Sequence, residues 1–185
     1  MKLWLVRHAE VVAAEGLCYG ASDLPADAAA TRDAAQVLAG QLPQGLSMHV
    51  SPLQRCELLA LSLKALRPDL MLETDARLRE FDFGRWERRR WADIGRAEFD
   101  AWLADFAQGR PGGGENVAEL MARVAEAWGD WRARGRDAVW VTHAGVIRAA
   151  RLLADGRRPL RSAADWPAEG LAFGAAMVLR AEPLP

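Results

Sequence analysis

The sequence is poor in several residue types, and each shortage narrows the class of protein. It holds only two cysteines in 185 residues, Cys18 and Cys56, which are too few for a disulfide framework and fit a reducing compartment. No apolar run approaches the length of a membrane span. The first run ends after four residues at Arg7, so we predict neither a signal peptide nor a membrane segment, and we expect a cytoplasmic protein.

The sequence also lacks an excess of charge of either sign. Lys and Arg number 24 against 25 Asp and Glu, which gives a formal net charge of −1. Nucleic acid and anionic membranes are therefore not predicted as partners, and an anionic ligand would need locally concentrated positive charge. The hydrophobic fraction of 51% and the charged fraction of 26% are typical of globular proteins. The length predicts a single domain over residues 1–185.

Two of the three histidines occur in the same kind of place. Residues 3–6 are an apolar run followed by Arg7 and His8, and residues 138–142 are a second run followed by His143. Such runs are typical of strands that are buried on both faces of a mostly parallel sheet. Open α/β sheets bind ligands at the carboxyl ends of their strands. We therefore predict that the two strands are neighbours and that both histidines belong to one site.

The rest of the sequence alternates predicted helices with predicted strands. This order indicates an α/β fold, a three-layer α/β/α sandwich with a mainly parallel central sheet. Helices are predicted over residues 27–39 with Gly40 at the end, from a Ser51 N-cap to about residue 66, over 91–106, from an Asn116 capping box to about 134, and over 144–154. Further strands are predicted over 47–50, 70–73 and 175–179, and a polar loop after residue 154.

Four basic side chains lie at predicted strand ends or helix starts, namely Arg7, His8, Arg55 and His143. Arginine matches phosphate oxygens in a two-pronged fork, and the amides of helix N-termini add positive potential. A tetrahedral dianion such as phosphate would use the whole cluster. A small phosphorylated metabolite is therefore the predicted ligand.

A phosphoryl group in such a site needs a nucleophile and a proton donor. Neutral His8 is a competent nucleophile and would form a phosphohistidine, provided that its other ring nitrogen donates to a backbone carbonyl. For the proton donor, Glu80 and Asp82 are the candidates, since neighbouring aromatic side chains keep a carboxylic acid protonated. They lie in residues 77–91, whose mixture of charged and aromatic side chains predicts a pocket rim. Asp82 is better explained as a solvated loop charge.

Four motifs resemble those of the histidine phosphatase superfamily, the phosphoglycerate-mutase-like fold. They are Leu-Val-Arg-His-Ala-Glu (5–10), Ser-Pro-Leu-Gln-Arg-Cys (51–56), Leu-Arg-Glu-Phe-Asp-Phe-Gly-Arg-Trp-Glu (78–87) and Val-Thr-His-Ala-Gly-Val-Ile-Arg (141–148). The resemblance implies that His8 is the phosphorylated nucleophile and that Arg7, Arg55 and His143 bind phosphate, with His143 also catalytic. It implies that Glu80 is the acid and then the base for water, and that no metal or other cofactor takes part.

Further segments are similar to one branch of that superfamily, the α-ribazole-5′-phosphate phosphatases of cobalamin assembly. These segments are residues 16–25, 86–87, 91–94 and 111–116. The shortness of the chain favours a phosphatase over a mutase. Several positions depart from the usual pattern: Ala9 and Arg88 stand where the family usually has glycine, residues 11–14 lack its usual threonine and asparagine, and Ala21 replaces a residue that is commonly polar or basic.

Other interpretations stay open at this level. The enzyme could be a broad-specificity histidine phosphatase, or a phosphoglycerate-mutase-like enzyme acting on another small phosphoester. His8, His143 and Glu80 could form a metal triad of two histidines and one carboxylate, although two arginines in the same pocket would repel a cation. Ala9 and the missing polar residues of the first loop are the motive for a further interpretation, a non-catalytic module that binds a phosphorylated ligand. The sequence permits a homodimer.

Overall fold

In the computed structural model, residues 1–156, 160 and 162–183 are described. The elements in order are β1 (Lys2–Arg7), α1 (Ala28–Gln41), β2 (Ser47–Val50), α2 (Gln54–Leu66), β3 (Met71–Thr74), α3 (Arg96–Ala104), α4 (Val117–Arg134), β4 (Ala138–Thr142), α5 (Ala144–Ala154) and β5 (Ala176–Arg180). The predicted polar loop after residue 154 includes residues 157–159 and 161, which lie outside this description. Across the ranges just given, no helix combines the length and apolar composition of a membrane span.

The strands form one five-stranded sheet in the order β3-β2-β4-β1-β5. Neighbouring pairs from β3 to β1 are parallel, whereas β5 runs antiparallel to β1 at the edge. The mainly parallel sheet is confirmed. Because β4 lies between β1 and β2, the carboxyl ends of these three strands meet at one edge of the sheet.

Helices cover both faces of the sheet, as the three-layer prediction requires. One face packs Leu3, Leu5 and Trp140 against α4 and α5. The other face packs Val6, Met48 and Val139, among others, against α1 and α2. Strand β4 is buried along its whole length, which explains its continuous apolar sequence.

The predicted helix over residues 27–39 is confirmed at its start and extended at its end. Asp27 caps α1 by accepting a hydrogen bond from the Ala30 amide at 2.8 Å. Gly40 does not end the helix, which continues to Gln41. The sequence after α1 ends the helix instead, because Pro43 biases the residue before it towards an extended conformation.

The prediction that Ser51 caps the next helix is wrong. Helix α2 begins three residues later, at Gln54, with Leu53 in the N-cap position. Ser51 instead continues the β2 ladder, since its amide donates to the Val141 carbonyl at 3.0 Å. Its hydroxyl lies 2.7 Å from Nε2 of His143, so the side chain serves the site and not the helix.

The long helix predicted over residues 91–106 is shorter in the structure. Trp91–Asp93 forms a 3-10 turn, and α3 follows only from Arg96, after Gly95. In the segment before it, Phe81 and Trp86 are buried, so residues 77–91 are partly core and not only a pocket rim. The predicted capping box of α4 is present, with Asn116 and Glu119 each accepting from the other's amide.

Arg88 is strained, and its replacement by glycine is expected to stabilise the protein. Among the described residues it alone combines a side chain with a positive φ, of 63°. The left-handed region costs an L-residue about 1–2 kcal/mol, part of which the greater flexibility of unfolded glycine offsets. We expect Arg88→Gly to raise the free energy of unfolding by about 0.5–1 kcal/mol in urea titrations, with an unchanged m value.

Arg90 provides the matched control for this substitution. It is two residues away and has an ordinary φ of −72°. Arg90→Gly should therefore lower stability by about 0.5–1 kcal/mol, because glycine only adds unfolded-state entropy there. Equal effects of both substitutions would show that the conformation of Arg88 carries no strain.

Candidate active site

His8 and His143 meet at the carboxyl edge of the sheet. Strands β1 and β4 pair in parallel register, with Arg7 opposite Thr142, so the next residue of each strand is a histidine. The two imidazole ring centroids lie 5.1 Å apart. The predicted proximity of the two histidines is confirmed.

The His8 ring is buried and held in one tautomer. Its Nδ1 lies 2.7 Å from the Ala9 carbonyl oxygen and donates to it, as a His8 nucleophile requires. Nε2 therefore carries the free lone pair. Burial, together with Arg55 and Arg7 nearby, lowers the pKa of His8 to about 3, although the bond to Ala9 opposes the shift. The imidazole is neutral at physiological pH.

The lowered pKa of His8 predicts an unusual titration in the protein without ligand. An ordinary histidine gains its proton around pH 6.5. His8 should instead stay neutral as the pH falls from 8 to 5, because its pKa of about 3 lies below that range. We expect the imidazole NMR signals of His8, assigned by their loss in His8→Asn, to hold their positions over this range. A midpoint near 6.5 would contradict the burial described.

His143 is fully buried and bonded through both ring nitrogens. Arg55 Nε donates to Nδ1 at 3.3 Å, so the ring proton is on Nε2, which donates to Ser51 Oγ at 2.7 Å. Burial lowers the pKa of His143 well below its usual value, and Arg55 and His8 lower it further. His143 also occupies the N-cap position of α5.

Arg55 joins His143 to the loop after β1. Its Nη1 donates to the Ser22 carbonyl at 2.7 Å and its Nη2 to the Gly20 carbonyl at 2.6 Å. Together with the bond to His143, these contacts use three of the five N–H groups of a guanidinium, counted over the described residues. The guanidinium carbon also lies 5.6 Å from the centre of the Tyr19 ring. A fully buried arginine therefore keeps two donors for an anion.

Arg7 approaches the site from the end of β1. Its Nη1 donates to the Leu171 carbonyl at 2.7 Å, and its guanidinium carbon stacks 3.8 Å above the Phe173 ring. Its Nε is buried and has no hydrogen-bond partner in the described part of the chain. An unpaired buried donor is costly, and an anion in the site would satisfy it. Burial lowers the pKa of Arg7 from its ordinary value.

Glu80 reaches the same edge from the segment after β3. Its Oε1 accepts from the Phe81 amide at 3.0 Å, and its Oε2 accepts from the Gly145 amide at 3.1 Å, at the start of α5. A Cβ on Gly145 would lie 2.3 Å from Oε1, so a larger residue at this position would displace the Glu80 carboxylate. Asp82 instead accepts from the Gly84 amide at 2.8 Å, which is a turn contact.

Two groups that support the site were not predicted from the sequence. The Glu87 carboxylate accepts from four backbone amides at 3.0–3.1 Å, and thereby holds the loop that faces Arg55 against the segment after Glu80. The amides belong to Gly20, Ala21, Ser22 and Phe83. A pairing of Glu87 with backbone amides has no signature in sequence other than its place in the 78–87 motif.

The second group is the Arg123–Glu115 ion pair. Arg123 Nε lies 2.6 Å from Glu115 Oε1, and both side chains are largely buried. Its terminal nitrogens donate to the carbonyls of Arg77, Arg79 and Glu80 at 2.6–3.3 Å. Helix α4 therefore fixes the backbone on which Glu80 stands.

The two cysteines are poor alternatives to His8 as the nucleophile, and the metal triad considered from the sequence is not formed. Cys56 Sγ lies 3.4 Å from His143 Nε2, but burial raises the pKa of this thiol, so it stays protonated. Burial also raises the pKa of Cys18 to about 12. In the part of the chain described, no three His, Cys, Asp or Glu side chains are grouped so as to hold a metal ion, and the triad of His8, His143 and Glu80 does not form one.

The protein has an α/β fold whose candidate site lies at the carboxyl ends of parallel strands and brings together two neutral imidazoles and two arginines. The chain belongs to the histidine phosphatase superfamily (branch 1), whose family model matches residues 3–167.

Individual relatives agree with this membership. A protein described as a probable phosphoglycerate mutase GpmB from Proteus mirabilis (strain HI4320) is 35% identical over 136 residues. The alignment covers 69% of this chain and 61% of that protein, so the chain spans about three fifths of its relative's length. The protein TTHB049 from Thermus thermophilus superposes with a TM-score of 0.72 at 30% identity, over 96% of this chain and 92% of that one. The mycobacterial glucosyl-3-phosphoglycerate phosphatase Rv2419c superposes with a TM-score of 0.79 at 26% identity, over 97% of this chain and 89% of that one.

Proposed function

We propose that this protein is a phosphomonoester hydrolase that works through a phosphohistidine on His8. The observation that carries the proposal is the bond from His8 Nδ1 to the Ala9 carbonyl, which leaves a neutral Nε2 beside His143, Arg7 and Arg55. A neutral imidazole held in one tautomer is a nucleophile, and the adjacent guanidinium groups are phosphate ligands.

The reaction has two transfers. In the first, the His8 Nε2 lone pair attacks phosphorus, the bond from phosphorus to the ester oxygen breaks, and protonated Glu80 gives its proton to the departing alkoxide. In the second, Glu80 removes a proton from water, whose oxygen attacks the phosphohistidine and releases phosphate and free His8. In both steps Arg7 and Arg55 stabilise the charge on the phosphoryl oxygens, and His143 adds to this when its Nε2–H turns from Ser51 Oγ to a phosphoryl oxygen, so the scheme needs no metal.

For the substrate we propose α-ribazole 5′-phosphate. The segments that resemble this branch lie around the site. Residues 16–25 supply the carbonyls that hold Arg55, and residues 111–116 lie against the turn after Glu80, where the Glu115 amide donates to the Asp82 carbonyl at 2.8 Å. A phosphorylated sugar acid is the second candidate, because one structural relative is a glucosyl-3-phosphoglycerate phosphatase. The free state of both cysteines supports a cytoplasmic setting.

A panel of phosphomonoesters tests the proposal. It should include α-ribazole 5′-phosphate, glucosyl-3-phosphoglycerate, 3-phosphoglycerate and para-nitrophenyl phosphate, each measured with and without a chelator. We expect phosphate release from para-nitrophenyl phosphate that the chelator does not reduce, with the highest kcat/KM for α-ribazole 5′-phosphate. No release from any ester would support the non-catalytic interpretation, and loss of activity with the chelator would contradict a metal-independent reaction.

Arg55→Ala should weaken phosphate binding and slow turnover together. The guanidinium contacts grow stronger as charge develops on the phosphoryl oxygens, so we expect kcat/KM for para-nitrophenyl phosphate to fall by about a hundredfold or more. The inhibition constant of inorganic phosphate should rise as well. The Gly20 and Ser22 carbonyls also lose their donors, so the rate must be expressed per folded molecule.

Arg96 is a suitable control for Arg55. It lies on α3, its side chain is 88% exposed, and it pairs with Asp100. Arg96→Ala removes the same charge from the whole protein without touching the site. If both variants keep the wild-type kcat/KM, Arg55 is not a phosphate ligand.

A further inference from the structure

A small aromatic cavity adjoins Glu80 and is not used by the reaction described above. Its volume is about 140 Å³. The walls are Phe83, Trp102, Phe106, Val117, Leu120 and Trp166. Polar groups enter only near the edge of the sheet, where Glu80 and Arg148 line it beside Gly145.

We propose that this cavity is the subsite for a planar ring carried by the leaving alcohol of the substrate. The inference rests on the proposed function, because it takes Glu80 as the group that protonates the leaving oxygen. The substrate class is then a phosphate monoester of an alcohol that bears an uncharged aromatic ring or fused ring system, one ring of which enters the cavity.

The size of the cavity limits the occupant. An apolar cavity of about 150 Å³ holds one benzene molecule, so a volume of about 140 Å³ suits a single six-membered ring. A fused ring system would leave its second ring outside, towards the opening.

The walls are already arranged to receive such a ring. Trp102 packs edge-on against Phe83 at 6.4 Å and lies 5.4 Å from Phe106, which is 6.0 Å from Trp166. Rings that already pack against one another have little freedom to lose when a ligand binds.

The position of Glu80 sets the orientation in which the substrate binds. Its carboxylate lines the cavity and also accepts from the Gly145 amide at 3.1 Å, two residues after His143. A leaving oxygen that takes its proton from Glu80 therefore lies between the phosphate ligands and the cavity. The carbon chain attached to that oxygen continues into the cavity.

Arg148 closes the same side of the cavity. Its Nε donates to the Pro167 carbonyl at 2.9 Å, which holds the chain next to Trp166 in place. A leaving group that carries a carboxylate could pair with Arg148, but it would lose its hydration against the remaining walls, which are aromatic or aliphatic. Alcohols with a ring are therefore favoured over sugar acids.

Matched pairs of esters test the subsite. Ethyl phosphate and 2-phenylethyl phosphate both release a primary alkoxide, so their chemical steps are alike and the ring is the difference. Burial of a phenyl ring predicts a kcat/KM that is about 10- to 100-fold higher for the phenylethyl ester. Benzyl and 3-phenylpropyl phosphates, each compared with its alkyl counterpart, vary the reach to the cavity.

Two substitutions test whether the preference for the phenylethyl ester arises in this cavity. Trp102→Leu removes a wall and Val117→Phe fills part of the space, and each should reduce the ratio of kcat/KM between the phenylethyl and ethyl esters severalfold. Trp4→Leu is the matched control, because Trp4 packs on the opposite face of the sheet and its variant should keep the wild-type ratio.

Three results would overturn the aromatic subsite. A ratio near one for every pair of esters in the wild-type protein would overturn the subsite while leaving the phosphatase intact. A high ratio that none of the cavity variants lowers would place the ring elsewhere and also overturn it. No hydrolysis of any ester would overturn the proposed function and the subsite with it.

Discussion

Replacement of His8 by asparagine is expected to reduce the hydrolysis of para-nitrophenyl phosphate by on the order of ten-thousandfold or more. Asparagine can still donate to the Ala9 carbonyl, so the local hydrogen bond at 2.7 Å has a substitute. What it lacks is a lone pair on a ring nitrogen, and without a nucleophile no phosphoenzyme forms. Rapid quenching with labelled substrate should therefore trap a phosphorylated protein in the wild type and none in the variant.

His49 is the matched control for His8. It lies within β2, and its ring is approached by Arg134 and Glu73 and not by the groups of the site. His49→Asn should lower stability somewhat while kcat stays close to the wild-type value. A fast His8→Asn enzyme that still forms an acid-labile phosphoenzyme would move the nucleophile to another residue and contradict the assignment.

The sequence was most informative at the carboxyl ends of β1 and β4, where the two histidines follow the strands. The apolar runs before His8 and His143 predicted the two strands, their parallel pairing and the meeting of both rings, all of which the structure confirms. These predictions succeed because a strand buried on both faces leaves a continuous apolar signal, and because parallel strands bring their carboxyl ends to one edge.

Features that depend on tertiary contacts were not predicted. Ser51 has the chemistry of an N-cap, yet a buried imidazole 2.7 Å away competes for its hydroxyl. The direction of β5 depends on the path of the preceding loop. Glu87 and Arg123 act on backbone groups that are distant in sequence, and a side chain that bonds to backbone leaves no pattern of residue types.

The substitution at Ala9 has a simple explanation in the structure. Its contact with His8 is through the backbone carbonyl, which alanine supplies as well as glycine does. Its methyl group is buried, with 1% of the residue exposed, and so fits inside the fold. The residue that motivated a non-catalytic interpretation therefore leaves the geometry of the nucleophile intact.

Glu80→Gln is expected to lose about a hundredfold or more in rate with a poor leaving group, because glutamine supplies no transferable proton. The loss should be smaller with para-nitrophenyl phosphate, whose phenolate departs without much help. Phosphohistidine should also persist longer in the variant, because the activation of water fails as well. The measurements are the dependence of kcat/KM on leaving-group basicity and the decay of trapped phosphoenzyme.

The substitution also carries a structural cost that must be separated from the chemical one. Both Glu80 oxygens accept from backbone amides, of Phe81 and Gly145, whereas the glutamine amide offers one oxygen and one NH₂. One backbone N–H is left facing a donor, which costs roughly 1–3 kcal/mol of stability. Unfolding measurements give this loss, and rates per folded molecule give the chemical effect.

Asp82 provides the comparison that decides which carboxyl group is the acid. Its Oδ1 accepts from the Gly84 amide at 2.8 Å, and the carbonyl oxygen of asparagine can take over that bond, so Asp82→Asn should keep both fold and rate. A third possibility is that Glu80 only forms a salt bridge to Arg77 or Arg85, and the structure disfavours Arg77, which pairs with Asp75 and Asp130. If leaving-group dependence appears in Asp82→Asn and not in Glu80→Gln, the acid is Asp82, and the cavity beside Glu80 no longer marks the position of the leaving group.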